Sequence, residues 1–94
     1  MNREKVKNYL NICRKAGYLI VGSDRLKSYN KKLYLILFDK NKSATIEKIL
    51  DKFKDIEVQE IENLGEIVSI DNCKIVGIKN LGLSEEIKKG IKGE

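Results

Sequence analysis

Apolar residues recur along the chain in two rhythms, and the switches between them set out its elements. In REKVKNYLNICRKAG, Val6, Tyr9, Leu10, Cys13 and Ala16 follow at intervals of 3, 1, 3 and 3 residues, the spacing of one face of a helix. Gly17 supplies the stop, and Arg14 and Lys15 in the last turn suit the negative end of the helix dipole. YLIVG then reads as a short strand. Ser23 or Asp24 stands where it can cap a brief helix, RLKSYN. LYLILF is an unbroken apolar run of the kind a central strand buries on both faces, which predicts Tyr34 as a core residue.

DKNKSAT turns the chain, and Ser43 is placed to cap ATIEKILDKFK, where Ile46, Ile49, Leu50 and Phe53 share a face. DIEVQEI alternates as a strand. ENLGEIV predicts a short helix with Ile61, Leu64, Ile67 and Val68 inward, and CKIVGI is the last strong strand. Ser84 followed by Glu85 and Glu86 predicts a helix over SEEIKKGIK, acidic at its start and basic at its end. Helices alternating with strands predict an α/β fold. The expectation is one domain over residues 1–94, a three-layer α/β/α sandwich around a small four-stranded mixed sheet.

Composition narrows the function classes. At 94 residues with 41% apolar and 35% charged side chains, the chain can build one modest core. No stretch reaches the roughly 20 apolar residues of a membrane span. MNREKVKNYL carries charge but no apolar signal region. These features predict a cytoplasmic protein, and a monomer is the expectation. Cys13 and Cys73 are the only cysteines and histidine is absent. Two sulfurs fall short of a zinc site, so both read as buried core thiols, and neither a metal nor a cofactor is expected.

The lack of histidine also removes the commonest general base. Asp55, Glu57, Glu60, Glu62 and Glu66 fall on predicted solvent faces, and the glycines form neither a phosphate loop nor a dinucleotide fingerprint. Asp39, at the carboxyl end of the central strand, occupies either the position of a catalytic acid or that of a turn residue accepting backbone N–H bonds. The expectation is a binding module, not an enzyme.

Charge points to the ligand. Residues 1–54 hold 14 Lys/Arg against 5 Asp/Glu, a net +9, whereas residues 55–94 hold 5 against 9, a net −4. Such segregation attracts polyanions over a screening length of about 8–10 Å, unless the lysines serve only solubility. In VGSDRLKSYNKKLYLILFD, Gly22 lets a partner approach the backbone, and the helix start behind it offers free N–H groups. Asp24 is an acceptor suited to the amino and imino groups of guanine. Arg25 can donate to base edges or phosphates, and Lys27, Lys31 and Lys32 can reach a backbone. The plainer alternative is that Ser23 and Asp24 cap a helix and the lysines are solvated. Tyr29 could stack on a base or pack inward.

Four stretches then stand in a telling order: NICRKAGYLIVG, KLYLILFD, NLGEIV and CKIVGIKNLGLSEEI. Together they resemble the kink-turn RNA-binding ribosomal protein superfamily, the L-seven-Ae and L-thirty-e proteins, and within it the small bacterial YlxQ-like branch. The stretches are similar to its opening helix and glycine turn, lysine-led central strand ending in aspartate, leucine–glycine helix, and last strand and helix. The resemblance implies a non-catalytic sandwich that binds structured RNA, kink-turn-like or ribosomal, in association with the ribosome and with ribosomal proteins as further partners.

It also implies two contact regions. One is Gly22, Ser23, Asp24 and Arg25, entering the groove at tandem G·A pairs. The other is the apolar loop Val68, Ser69 and Ile70, with Asp71 beside it, against a flipped-out nucleotide. Lys27, Lys31 and Lys32 would flank the bent backbone. The chain departs from the family pattern at Arg25, where a carboxylate is usual, and at Ser28, where a lysine is usual. The alternative is a protein-interaction or ribosome-assembly module of the same fold, meeting a basic partner through residues 55–66.

Overall fold

The apolar run near the middle of the chain forms the buried strand its composition predicts. The computed structural model describes residues 1–93. In chain order the elements are α1 (Arg3–Ala16), β1 (Leu19–Val21), α2 (Ser23–Ser28), β2 (Leu35–Asp39), α3 (Ala44–Lys52), β3 (Val58–Ile61), α4 (Leu64–Val68), β4 (Ile75–Ile78) and α5 (Leu81–Ile91). The four strands lie in the order β1-β4-β2-β3. β4 runs antiparallel to both neighbours, with Val21 opposite Val76 and Phe38 opposite Ile75. β2 and β3 are parallel, with Asp39 opposite Ile61. The carboxyl ends of β1, β2 and β3 therefore share one edge with the start of β4.

Period-two alternation along β2 makes the sandwich. Leu35 and Leu37 point into a cluster with Val6, Leu10 and Cys13 of α1, Leu64, Ile67 and Val68 of α4, and Ile87 of α5. Ile36 and Phe38 point the other way, to Leu26 of α2 and Ile46 and Ile49 of α3. Each such side chain contributes about 1.5–3 kcal/mol by leaving water, and β2 contributes to both layers at once. This is the α/β/α sandwich the pattern predicts.

Several local expectations change. Ala16 is exposed and lies off the buried face of α1. Tyr34 precedes β2 and is only half-buried, with the Lys32 ammonium 5.3 Å from its ring centroid. Neither Ser23 nor Asp24 caps α2, because both already lie inside the helix and Gly22 holds the cap position with no side chain to offer. α5 starts earlier than Ser84. Asn80 Oδ1 accepts from the Leu83 N–H at 2.9 Å, while the buried Ser84 hydroxyl donates to the Leu81 carbonyl at 2.8 Å. Asparagine and serine cap about equally well, so the earlier of the two starts the helix, and serine is tolerated within it when its hydroxyl bonds back to the preceding turn. Ser43 does cap α3, accepting from the Ile46 N–H at 3.4 Å.

Both cysteines are buried free thiols, as expected. Burial pushes the Cys13 thiol up to about 11 and raises that of Cys73 as well. At pH 8 both thiols of the folded protein should resist iodoacetamide, and both should react once guanidinium unfolds the chain. Labelling of either in the native state would contradict the packing described.

Asp39 joins the layers at the shared edge. It is 3% exposed. Its Oδ1 accepts from the Asn41 N–H at 2.8 Å and its Oδ2 from the Leu64 N–H at 2.9 Å. The carboxylate thus shapes the turn after β2 and also satisfies the first helical N–H of α4. Asp39→Ala leaves that buried N–H unpaired, a loss of about 1–3 kcal/mol. In a domain of this size the melting temperature should fall by about 4–8 °C per kcal/mol. Asp39→Asn keeps one acceptor and should lose less. Thermal unfolding followed by circular dichroism checks both, and an unchanged midpoint for the alanine variant would remove the carboxylate from this role.

Candidate nucleic-acid interface

Strand β1 becomes helix α2 through a single residue. The Gly22 N–H donates to the Ile75 carbonyl at 3.0 Å, completing the sheet, and its carbonyl accepts from the Leu26 N–H at 3.2 Å, starting the helix. It does so at φ 94°, ψ 154°, a conformation essentially confined to glycine. The corner brings Ser23, Asp24 and Arg25 to the sheet edge. Asp24 and Arg25 are exposed, and among the described residues neither side chain takes a hydrogen bond or ion pair. An acceptor and a five-donor fork are thereby presented side by side.

The second region is built against α4. Ser69 ends that helix in the left-handed conformation, φ 60°. The Ile70 N–H then folds back onto the Gly65 carbonyl at 2.9 Å, and the Cys73 N–H reaches the Ile70 carbonyl at 3.3 Å. A Cβ on Gly65 would stand 2.8 Å from the Ile70 carbonyl oxygen, so this close approach requires glycine. Ile70 is half-buried, and Ser69, Asp71 and Asn72 are exposed. Val68 takes the inward position its helical spacing predicts and not the contact position the resemblance implies. At 1% exposure its side chain belongs to the core, because the leucine–glycine helix turns that face toward β2. What it offers the site is a carbonyl, which accepts from the Arg14 guanidinium at 3.4 Å.

The two regions meet. Val21, Gly22 and Ser23 form one wall of a cleft of about 300 Å³, Ile70 to Ile75 form the other, and Ser43 and Ile46 of the α3 end close it. Lys74 lines this cleft and also an adjoining depression over Asp39 and Asn63.

The flanking lysines divide. Lys27 lies on a groove between α2 and α3. Lys32 does not flank the cleft. It shares a depression with Tyr34, Ile56, Leu81 and Lys88 at the opposite edge, where β2 begins and α5 starts. Lys31 precedes it in the same connection. The reason is topological: β1 and β2 point the same way, so the chain must return past α2 to the far edge, carrying Lys31 and Lys32 with it.

One cation that sequence reasoning missed takes their place at the cleft. Lys74 lines the cleft directly. Lys42, in the loop after β2, stands 5.0 Å from the Phe38 ring centroid. The signal for Lys42 was its place just after the carboxyl end of a parallel strand, where ligand-contacting loops collect. Nothing local marked Arg14. Lys52 has a building role, bonding the Leu26 carbonyl at 3.3 Å, the Lys27 carbonyl and the Tyr29 carbonyl at 2.9 Å at the end of α2. Tyr29 packs against the apolar cluster beneath α2 and α3.

No protein-family model matches the chain, and no curated protein matches it significantly. Its fold is shared by solved structures. One is a protein of unknown function from Bacillus halodurans C, 24% identical, with a TM-score of 0.80 over 94% of this chain and 97% of that one. Another is the Giardia lamblia 15.5kD RNA binding protein, 18% identical, with a TM-score of 0.65 over 95% of this chain and 87% of that one. Among the described residues no group of side chains suits a metal ion, and no helix is long and apolar enough to cross a membrane.

Because the obstacle at Gly65 is backbone and cannot swing aside, Gly65→Ala should displace the loop. We expect a loss of about 1–3 kcal/mol from overpacking, with amide chemical shifts of residues 69–74 moving most. Gly82→Ala, whose methyl group would meet only ordinary contact at 3.5 Å, should leave that loop unchanged. Equal spectra for the two variants would argue against the seam.

Proposed function

We propose that this chain is a non-catalytic RNA-binding protein that grips a folded RNA across the cleft between the Gly22 corner and the Ile70 loop. The observation that carries the reading is the meeting of two regions, far apart in sequence, on one cleft. Its chemistry suits that ligand. Asp24 can accept from base amino and imino groups, and Arg25 can donate to base edges or phosphates. Ile70 offers an apolar rest for an unstacked base. Lys74, and Lys42 in the loop after β2, can neutralise phosphates. The fold shared with the Giardia RNA binding protein supports the same reading.

The finer reading is a kink-turn-like or ribosomal RNA, bound by a cytoplasmic monomer of the L-seven-Ae/L-thirty-e type, YlxQ-like branch. With arginine rather than a carboxylate at position 25, the preferred RNA should differ from a standard kink-turn in the bases facing that residue. The competing protein-interaction reading has its own observation: Asp55, Glu60 and Glu62 are exposed along and beside the edge strand β3. Nuclease-resistant association with a single basic protein would favour it.

Calorimetric titration against a kink-turn hairpin and a G·A-disrupted control, at several salt concentrations, tests the proposal. If about four to six phosphates are neutralised, log K should fall with log salt at a slope of roughly −3 to −5. Arg25→Ala should change the ranking of RNAs, Lys74→Gln should weaken all of them alike, and Lys32→Ala, at the far edge, should change nothing. Failure to bind structured RNA in dilute buffer would sink the reading.

A further inference from the structure

We infer that the seam between α2 and α3 is a second phosphate-binding track, which takes the backbone of an RNA stem as it leaves the cleft. The inference rests on the RNA-binding reading above and extends it to a surface that reading does not use. Two observations place the track. First, the cleft and the groove follow the same pair of helices. Ser23 and Ser43, at the starts of α2 and α3, line the cleft. Farther along those helices, Lys27, Thr45, Lys48, Ile49 and Lys52 line a groove of about 250 Å³.

Second, the charges on α3 are sorted by face. Thr45, Lys48 and Lys52 fall on one helical stripe, at i, i+3 and i+7. Glu47 and Asp51 lie on the neighbouring stripe and take no part in the lining. A groove bordered by lysines, with its acids turned aside, fits a polyanion.

The lysines have different duties. The Lys52 ammonium is committed to the α2 carbonyls and joins the two helices, fixing the groove. Lys27 and Lys48 are exposed, and among the described residues their ammonium groups have no hydrogen bond or ion pair. Thr45 adds a neutral hydroxyl donor. Ammonium groups on flexible stems act as point charges and carry little geometric selectivity. The track therefore positions a phosphodiester backbone and reads no bases.

The test compares the wild type with a Lys27→Gln/Lys48→Gln variant on two RNAs that share one hairpin core. One ends at the core, and in the other both stems are extended by half a helical turn. Circular dichroism should show the same melting temperature for both proteins. Both should bind the short RNA equally. On the extended RNA the variant should be about three- to tenfold weaker, with a salt slope shallower by about two. Equal binding of the extended RNA by variant and wild type would overturn the track while leaving the cleft reading intact. Equal weakening on both RNAs would also overturn it, because the lysines would then serve the cleft itself. A wild type that binds neither RNA would remove the RNA-binding reading, and the track with it.

Discussion

A buried carboxylate holds the cleft edge of this protein together. Asp39 is the last residue of the central strand, and its two oxygens accept N–H groups from two different connections, at Asn41 and Leu64. α4 has only five residues, too few to be stable alone. It stands because its first N–H has this acceptor and because Leu64, Ile67 and Val68 are buried against the sheet. The loop that follows then needs the close backbone approach at Gly65. The position of Ile70 across from Gly22 is therefore the end of a chain of constraints that starts at one aspartate.

Cations in this structure divide between building and display. Lys52 satisfies carbonyls at the end of α2 and Arg14 one at the end of α4, where helix dipoles favour positive charge. Each brings elements distant in sequence into register. Arg25, Lys27 and Lys48 do no such work and remain available to solvent. Lys74 stands between the two groups: it lines the cleft, and its ammonium lies 4.0 Å from the Asp39 carboxylate.

The arrangement also explains how a low-identity chain can keep a recognisable architecture. Burial of alternate β2 residues in two layers demands only apolar side chains of suitable size. The corners are more demanding, since Gly22 needs a conformation that side chains resist and Gly65 a contact they would block. Exposed side chains stand beside these fixed points, at Asp24, Arg25, Ser69, Asp71, Asn72 and Lys74, where substitutions leave the core untouched. Arg25 is an example, because it is exposed and among the described residues its side chain makes no hydrogen bond or ion pair.

Element types and their alternation were legible in the sequence, because helical and strand periods are local and β2 is apolar throughout. The Gly22 corner was legible for the same reason, as a glycine between a strand and a polar helix start. Finer boundaries were not. Ser84 looked like the start of the last helix, yet Asn80 caps it one turn earlier. Ser23 and Asp24 looked like caps and lie inside the helix. Tertiary structure alone decided which charges share an edge, since that follows from strand order and direction, which are long-range pairings. It moved Lys32, with Lys31 beside it, away from the cleft and brought Lys74 to it. A lysine's charge is written in the sequence; its distance from a site depends on where the sheet sends the chain.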